Sequence, residues 1–261
     1  MPELPDVEII KRALERQTLG KQIREIVIKD VRTINGTDEK VLITASKGKK
    51  LSIFRRHGKY LFISLNQTDW LTIFFAMTGN LLYVKDGSQT IRFERVSFLL
   101  SDSERLAFTD QRVFGRIGLT PSPDDFIRTK KIGPDSLLVS WEIFYSIFSK
   151  QNTEIKKILM DQSKISGIGH VYADEILFQA QVSPFSIASN LSETTLHLLY
   201  EKTGTVLRTA IQFNADRNTF PHEFILKQRG KSSTCPRCGY EISTEKITGR
   251  TTYFCSHCQN V

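Results

Sequence analysis

Lys50-Leu51-Ser52-Ile53-Phe54-Arg55-Arg56, Tyr60-Leu61-Phe62-Ile63-Ser64-Leu65 and Trp70-Leu71-Thr72-Ile73-Phe74-Phe75-Ala76 are short β-branched and aromatic runs divided by turn residues. Runs of this length and composition read as strands. Working outward, Ile23, Ile26 and Ile28 precede them, and Asn80 to Lys85 and Ile91 to Leu100 follow. The spacing predicts an antiparallel sandwich or barrel. Val7, Ile10, Lys11 and Leu14 keep helical spacing up to Gly20, so one helix leads into the strands. Pro121, Pro123, Gly133 and Pro134 punctuate a basic stretch read as an interdomain boundary. Beyond it the pattern is helical: Trp141 to Lys150, Glu154 to Met160, Val171 to Gln181, and a longer helix after Asn190 and Ser192 with Leu196, Leu199, Val206, Leu207 and Ile211 on one face.

Composition narrows the partners. The 261 residues carry 36 Lys and Arg against 28 Asp and Glu, a net charge of +8, which favours a polyanion. A membrane surface or a ribosomal neighbour would fit the charge as well. With no run of 18 apolar residues and no apolar signal segment, a soluble intracellular protein of two domains is expected.

All four cysteines fall in Cys235-Pro236-Arg237-Cys238 and Cys255-Ser256-His257-Cys258, a C-x2-C-x16-C-x2-C pattern. Four thiolates so spaced can close a tetrahedral zinc shell, and a shell of four protein ligands leaves no open position, so one structural Zn2+ is expected. Arg237, Lys246, Thr248, Arg250 and Thr251 surround it. A zinc ribbon for protein contacts is the bland alternative, and the net charge favours phosphate binding.

Two weaker signals remain. Met1-Pro2-Glu3-Leu4-Pro5 puts a proline where loss of the initiator methionine would expose a secondary amine, with a carboxylate beside it. Such an amine can add to a sugar aldehyde carbon and form an iminium, and the acid can exchange a proton with the opening ring. The same residues would also suit a plain helix start. Ile165-Ser166-Gly167-Ile168-Gly169-His170 is either an ordinary turn between helices or a backbone-phosphate grip at a helix N-terminus.

Taken with Arg55-Arg56-His57-Gly58-Lys59-Tyr60-Leu61 and Asp110-Gln111-Arg112-Val113-Phe114-Gly115, these motifs stand in the order found in formamidopyrimidine-DNA glycosylases and their endonuclease VIII relatives, and the chain resembles that family over nearly its whole length. The resemblance implies an α+β protein: an N-terminal antiparallel β-sandwich with a leading helix (1–131), a helix-two-turn-helix DNA-binding domain (132–228) and a zinc finger (229–261), with damaged double-stranded DNA in the cleft. It implies a monomeric, cytoplasmic base-excision-repair enzyme, nucleoid-associated in a bacterium, with glycosylase and abasic-site lyase activity. Pro2 matches the nucleophile, Glu3 the general acid and Lys59 the lysine near the lesion's phosphate and sugar oxygens. Met77, Arg112 and Phe114 match the residues that fill the void left by an extruded nucleotide. Gly167, Gly169 and His170 match the phosphate-gripping turn, Arg250 the arginine on the flanking phosphate, and Cys235, Cys238, Cys255 and Cys258 the zinc ligands. Met77 and Leu4 point to the formamidopyrimidine side of the family.

Two departures stand out. His170 replaces the family's asparagine, and the stretch from Gln212 to Arg229 lacks the glycine-rich loop that caps 8-oxoguanine. The expected preference therefore shifts to ring-opened purines, hydantoins or oxidised pyrimidines. The competing expectation is a catalytically silent lesion- or junction-binding protein of the same fold.

Overall fold

The computed structural model describes residues 1–67, 69–86, 89–100, 104–230 and 233–259. Parts of the 229–261 stretch, residues 231–232 and 260–261, lie outside them. The chain divides into two compact units, one of residues 1–2 and 6–131, the other of residues 3–5 and 132–261. Each has its own apolar core. Among the described residues no helix is long and apolar enough to cross a membrane.

The first unit is built from two four-stranded antiparallel sheets. Helix α1 (Leu4–Thr18) is followed by β1 (Ile23–Ile28), α2 (Glu39–Ser46), β2 (Leu51–His57), β3 (Tyr60–Leu65), β4 (Asp69–Phe74), β5 (Gly79–Val84), β6 (Glu94–Leu100), β7 (Arg105–Asp110), β8 (Arg116–Thr120) and α3 (Pro123–Thr129). The strand orders are β1-β6-β7-β5 and β2-β3-β4-β8. Leu61, Ile63 and Leu65 of β3 alternate into a core shared with Ile26, Phe98, Leu106 and Phe108 of the other sheet, as the two-residue period of a strand requires. Val7 and Leu14 of α1 and Leu42 of α2 join that core.

Strand β3 is also buried on its second face, where Phe126 of α3 meets the rings of Tyr60 and Phe62 edge-on at 5.3 and 5.6 Å. Helix α3 lies inside the stretch read from sequence as a boundary. Its start is well specified: Ser122 caps it, Pro123 takes its first turn, and Asp124 and Asp125 favour its dipole. The strand expected from Ile91 begins three residues later, at Glu94, after Phe93 adopts a left-handed conformation (φ 60°).

The second unit contains α4 (Trp141–Phe148), α5 (Ile155–Met160), α6 (His170–Gln179), α7 (Glu193–Gln212) and a terminal hairpin of β9 (Ser243–Ile247) and β10 (Arg250–Phe254). Residues 172–178 of α6 are all buried, so α6 is the central helix, packed against α7, α5 and the hairpin. Leu196, Leu199, Val206, Leu207 and Ile211 of α7 face this core. The hairpin turns at Thr248-Gly249, both with positive φ (49° and 73°), the two-residue turn whose twist suits antiparallel strands.

Candidate active site

The Glu3 carboxylate lies at the N-terminus of α6. Its Oε2 accepts the backbone N–H of Gly169 (2.7 Å) and Tyr172 (3.4 Å), and its Oε1 that of Val171 (3.1 Å). The first N–H groups of a helix have no intrahelical partner and carry the positive end of its dipole, so they receive a carboxylate well. Glu3 is 1% exposed, and the backbone N–H of Leu4 donates to Gly167 O at 3.0 Å.

The glycines make this approach possible. A Cβ on Gly169 would stand 2.4 Å from both Cδ and Oε1 of Glu3; one on Gly167, whose φ is +109°, would stand 2.5 Å from Leu4 Cδ1. Gln162 fixes the turn between α5 and α6, donating to Ile168 O and accepting from Gly167 N–H (2.7 and 3.0 Å).

His170 opens α6. Its Nδ1 is buried without a hydrogen-bond partner and lies 4.0 Å from Glu3 Oε1. An unmatched buried polar atom costs about 1–3 kcal/mol. Burial, then the charges of Arg229, Arg250 and Lys156, push the imidazole pKa down to about 4, so the ring is neutral at physiological pH.

A buried ionic network joins α5, α6 and the hairpin. Lys156 Nζ donates to Asp174 Oδ1 (2.5 Å) and Thr252 Oγ1 (2.6 Å); Asp174 Oδ2 accepts from Arg229 Nη1 (2.8 Å) and the N–H of Tyr253 (3.2 Å). The ring of Tyr253 lies under the Arg229 guanidinium. Burial raises the Asp174 pKa, with Lys156 and Arg229 opposing. The network fixes the strand from which Arg250, exposed at its first position, projects.

The four cysteine Sγ atoms all lie within 4.8 Å of one another, with Cys235 to Cys258 at 3.9 Å and Cys238 to Cys255 at 3.5 Å. Tetrahedral zinc with Zn–S bonds of about 2.3 Å requires sulfurs roughly 3.8 Å apart, so the donors fit one structural zinc ion.

In the first unit, Lys59 sits with Gly58 (φ 54°) in the turn between β2 and β3. Arg56, buried in β2, holds that turn by donating to Gly58 O (3.2 Å) and to Glu8 Oε2 of α1 (3.0 Å). Met77 is half-buried in the turn before β5; Arg112 and Phe114 are exposed between β7 and β8, the guanidinium 5.0 Å from the ring centroid. An exposed Phe114 is not the core residue that its apolarity alone would suggest. Asp110 ties both loops together: it accepts from the Thr78 hydroxyl, Arg112 N–H (3.1 Å) and Gly115 N–H (2.7 Å). Phe114 also walls a pocket of about 400 Å³ with Tyr60, Phe74, Arg116, Phe126 and Lys130.

Sequence reasoning missed the supporting residues Asp110, Gln162, Lys156 and Asp174. Only Asp110 had a local signal, an acidic acceptor opening a glycine-ended turn.

It also missed Glu175. This carboxyl is buried in α6, accepting from Gln179 Nε2 (2.7 Å) and the N–H of Leu226 (2.9 Å). Burial raises its pKa from 4.5 to about 7. The folded state therefore retains a proton that the unfolded chain releases above about 4.5, and this group's contribution is full below that pH and lost as pH rises to about 7. The whole effect is about 3 kcal/mol. Denaturation of Glu175→Gln between pH 4.5 and 7.5 should show a flatter dependence than wild type, and identical slopes would contradict the assignment.

Comparison with known proteins is consistent along the whole chain. Residues 1–117 match the formamidopyrimidine-DNA glycosylase N-terminal domain, 132–221 the formamidopyrimidine-DNA glycosylase H2TH domain, and 232–261 a zinc finger found in FPG and IleRS. A formamidopyrimidine-DNA glycosylase of Carboxydothermus hydrogenoformans is 34% identical, the alignment covering 99% of this chain and 100% of the relative. One from Pelotomaculum thermopropionicum is 32% identical with full coverage of both. The structure of wild-type Lactococcus lactis Fpg in complex with DNA containing N7-benzyl-Fapy-dG superposes with a TM-score of 0.91 at 28% identity, covering all of both chains. The L. lactis enzyme non-covalently bound to abasic-site DNA gives 0.90 at 27%, over 99% of this chain and 100% of that one. With three successive domain matches and full-length relatives above 30% identity, the chain belongs to the formamidopyrimidine-DNA glycosylase family.

Proposed function

We propose that this protein removes oxidised bases from double-stranded DNA and then cuts the strand at the resulting abasic site, acting as a cytoplasmic monomer. The observation that carries the reading is the Glu3 carboxylate held by three backbone N–H groups in the residue directly after Pro2. Once Met1 is removed, the Pro2 nitrogen lone pair attacks C1′ of the damaged nucleotide, and the glycosidic bond breaks with its electron pair leaving on the base. The attacking nitrogen loses its N–H proton to the departing base, and Glu3 gives a proton to the ring oxygen as the sugar opens, leaving a Pro2–C1′ iminium. That iminium acidifies the 2′ proton; its loss expels the 3′ phosphate, and a second elimination expels the 5′ phosphate.

Lys59 holds phosphate and sugar oxygens near the lesion. Met77, Phe114 and Arg112 occupy the gap in the duplex, the arginine facing the orphan base. His170 at the head of α6, placed by the turn at Gly167 and Gly169 whose own N–H groups go to Gln162 and Glu3, grips a backbone phosphate together with Arg250. The zinc, held by Cys235, Cys238, Cys255 and Cys258, serves only to hold the hairpin that carries Arg250.

Borohydride reduction of the mature protein on an abasic-site duplex should yield a covalent complex that Pro2→Gly does not form. Binding without trapping would instead support a silent lesion binder, the reading that His170 and the short 212–229 segment favour. In that segment Phe220, Phe224, Ile225 and Leu226 are buried, leaving 216–219 as its longest exposed run, followed by the exposed pair 222–223. We therefore expect faster release of oxidised pyrimidines or hydantoins than of 8-oxoguanine opposite cytosine, measured on a panel of lesion duplexes; the reverse ranking would remove the loop argument.

A further inference from the structure

The unmatched nitrogen of His170 faces the acid Glu3. A negative Oε1 at 4.0 Å sets the ring's tautomer, placing the hydrogen on Nδ1 and leaving the lone pair on Nε2. In that form the exposed side of the ring offers a phosphate no donor. Three cations act on the ring through space: Arg229 from the segment before the finger, Arg250 from β10 and Lys156 from α5. The other charged groups concerned are Asp174, one turn along α6 and paired to Lys156 and Arg229, and Glu3 itself.

An arriving phosphate neutralises part of this positive field and demands a donor on Nε2. Both changes raise the affinity of the Glu3 and His170 pair for a proton. We propose that Glu3 and His170 form a coupled pair that takes up one proton when a DNA phosphate docks on His170, so that docking arms Glu3 as the acid. The proton enters from solvent at Nε2, where the new N–H donates to the phosphate. Docking closes the 4.0 Å gap between Nδ1 and Glu3 Oε1 to hydrogen-bond distance, the Nδ1 proton moves to Oε1, and Nδ1 becomes the acceptor of the resulting O–H. One proton is gained, and no other bond is made or broken. An asparagine at this position would donate to the phosphate without titrating, so the pairing is specific to histidine. His170 here is a positioning residue for Glu3.

The inference rests on the proposed DNA repair activity, and the test separates the two. Calorimetric titration at pH 7 with a duplex carrying a tetrahydrofuran abasic analogue, in buffers of different ionisation enthalpy, reads proton uptake without requiring turnover. Wild type should take up about 0.5–1 proton per complex, and His170→Asn and Glu3→Gln each below about 0.2. In single-turnover base release, His170→Asn should also shift the pH profile while thermal unfolding confirms that it folds. Equal uptake in wild type and His170→Asn, or none in wild type, overturns the pairing and leaves the repair reading intact. Failure of wild type to bind the duplex overturns both.

Discussion

Replacing Gly169 by alanine should reduce base release by roughly 10²- to 10⁴-fold, the range that a positioned general acid supplies. The reason is local. Gly169 has φ −120° and ψ −167°, extended backbone open to any residue, so alanine meets no torsional barrier. Its Cβ would nevertheless lie 2.4 Å from the Glu3 carboxylate carbon and Oε1. The carboxylate must leave, and with it go the bonds from Gly169, Val171 and Tyr172. Gly204 is the control. It sits within α7, and its new Cβ would meet only the flexible end of Arg208. Gly204→Ala should stabilise by about 0.5–1 kcal/mol and leave turnover unchanged. Single-turnover rates for both variants, with melting curves, check the pair; a Gly169→Ala enzyme at wild-type rate would show that Glu3 is not the acid.

The same turn shows how much of the fold and site was legible in sequence. The glycines at 167 and 169 read equally well as an ordinary helix connection, because nothing local reveals that residue 3 packs against residue 169. Long, strongly patterned elements were readable: the apolar face of α7 and the alternation of β3 carry their own period. Helix α3 was hidden because Pro121 and Pro123 read as a boundary although Pro123 occupies its first turn, and α2 buries only Leu42 and Ser46 and so shows little apolar face. Strand β7 was obscured by buried charge, since Arg105 reaches Glu94 across the sheet at 2.8 Å and looks in sequence like a surface residue. Functional motifs with short spacing, such as the paired cysteines, were visible. Their supports were not, because Lys156, Asp174, Arg229 and Thr252 are brought together from four separate segments.

Stripping zinc should weaken affinity for a tetrahydrofuran duplex by roughly 10- to 100-fold, the loss expected when hydrogen bonds of a charged donor worth about 1.5–3 kcal/mol are removed. The finger has little else to hold it. Its core is Ile242, Cys235 and Cys255 against Phe178 and Ile225, and among the described residues its sheet is two five-residue strands, an arrangement marginal in water alone. Lys156 to Thr252 and Asp174 to Tyr253 anchor the base of β10, while the turn at Thr248-Gly249 and Arg250 beyond it depend on the closed hairpin. A chelator, or Cys255→Ser, should therefore expose the segment after residue 233 to protease before the first unit unfolds. Arg250→Ala separates the two roles of the finger. It should lose comparable affinity with the salt dependence reduced by about one phosphate contact, yet stay protease-resistant, because it removes one charge and leaves the metal shell intact. If chelation left both affinity and cleavage pattern unchanged, the hairpin would be held by the Asp174 network alone, and zinc would have no part in presenting Arg250 to DNA.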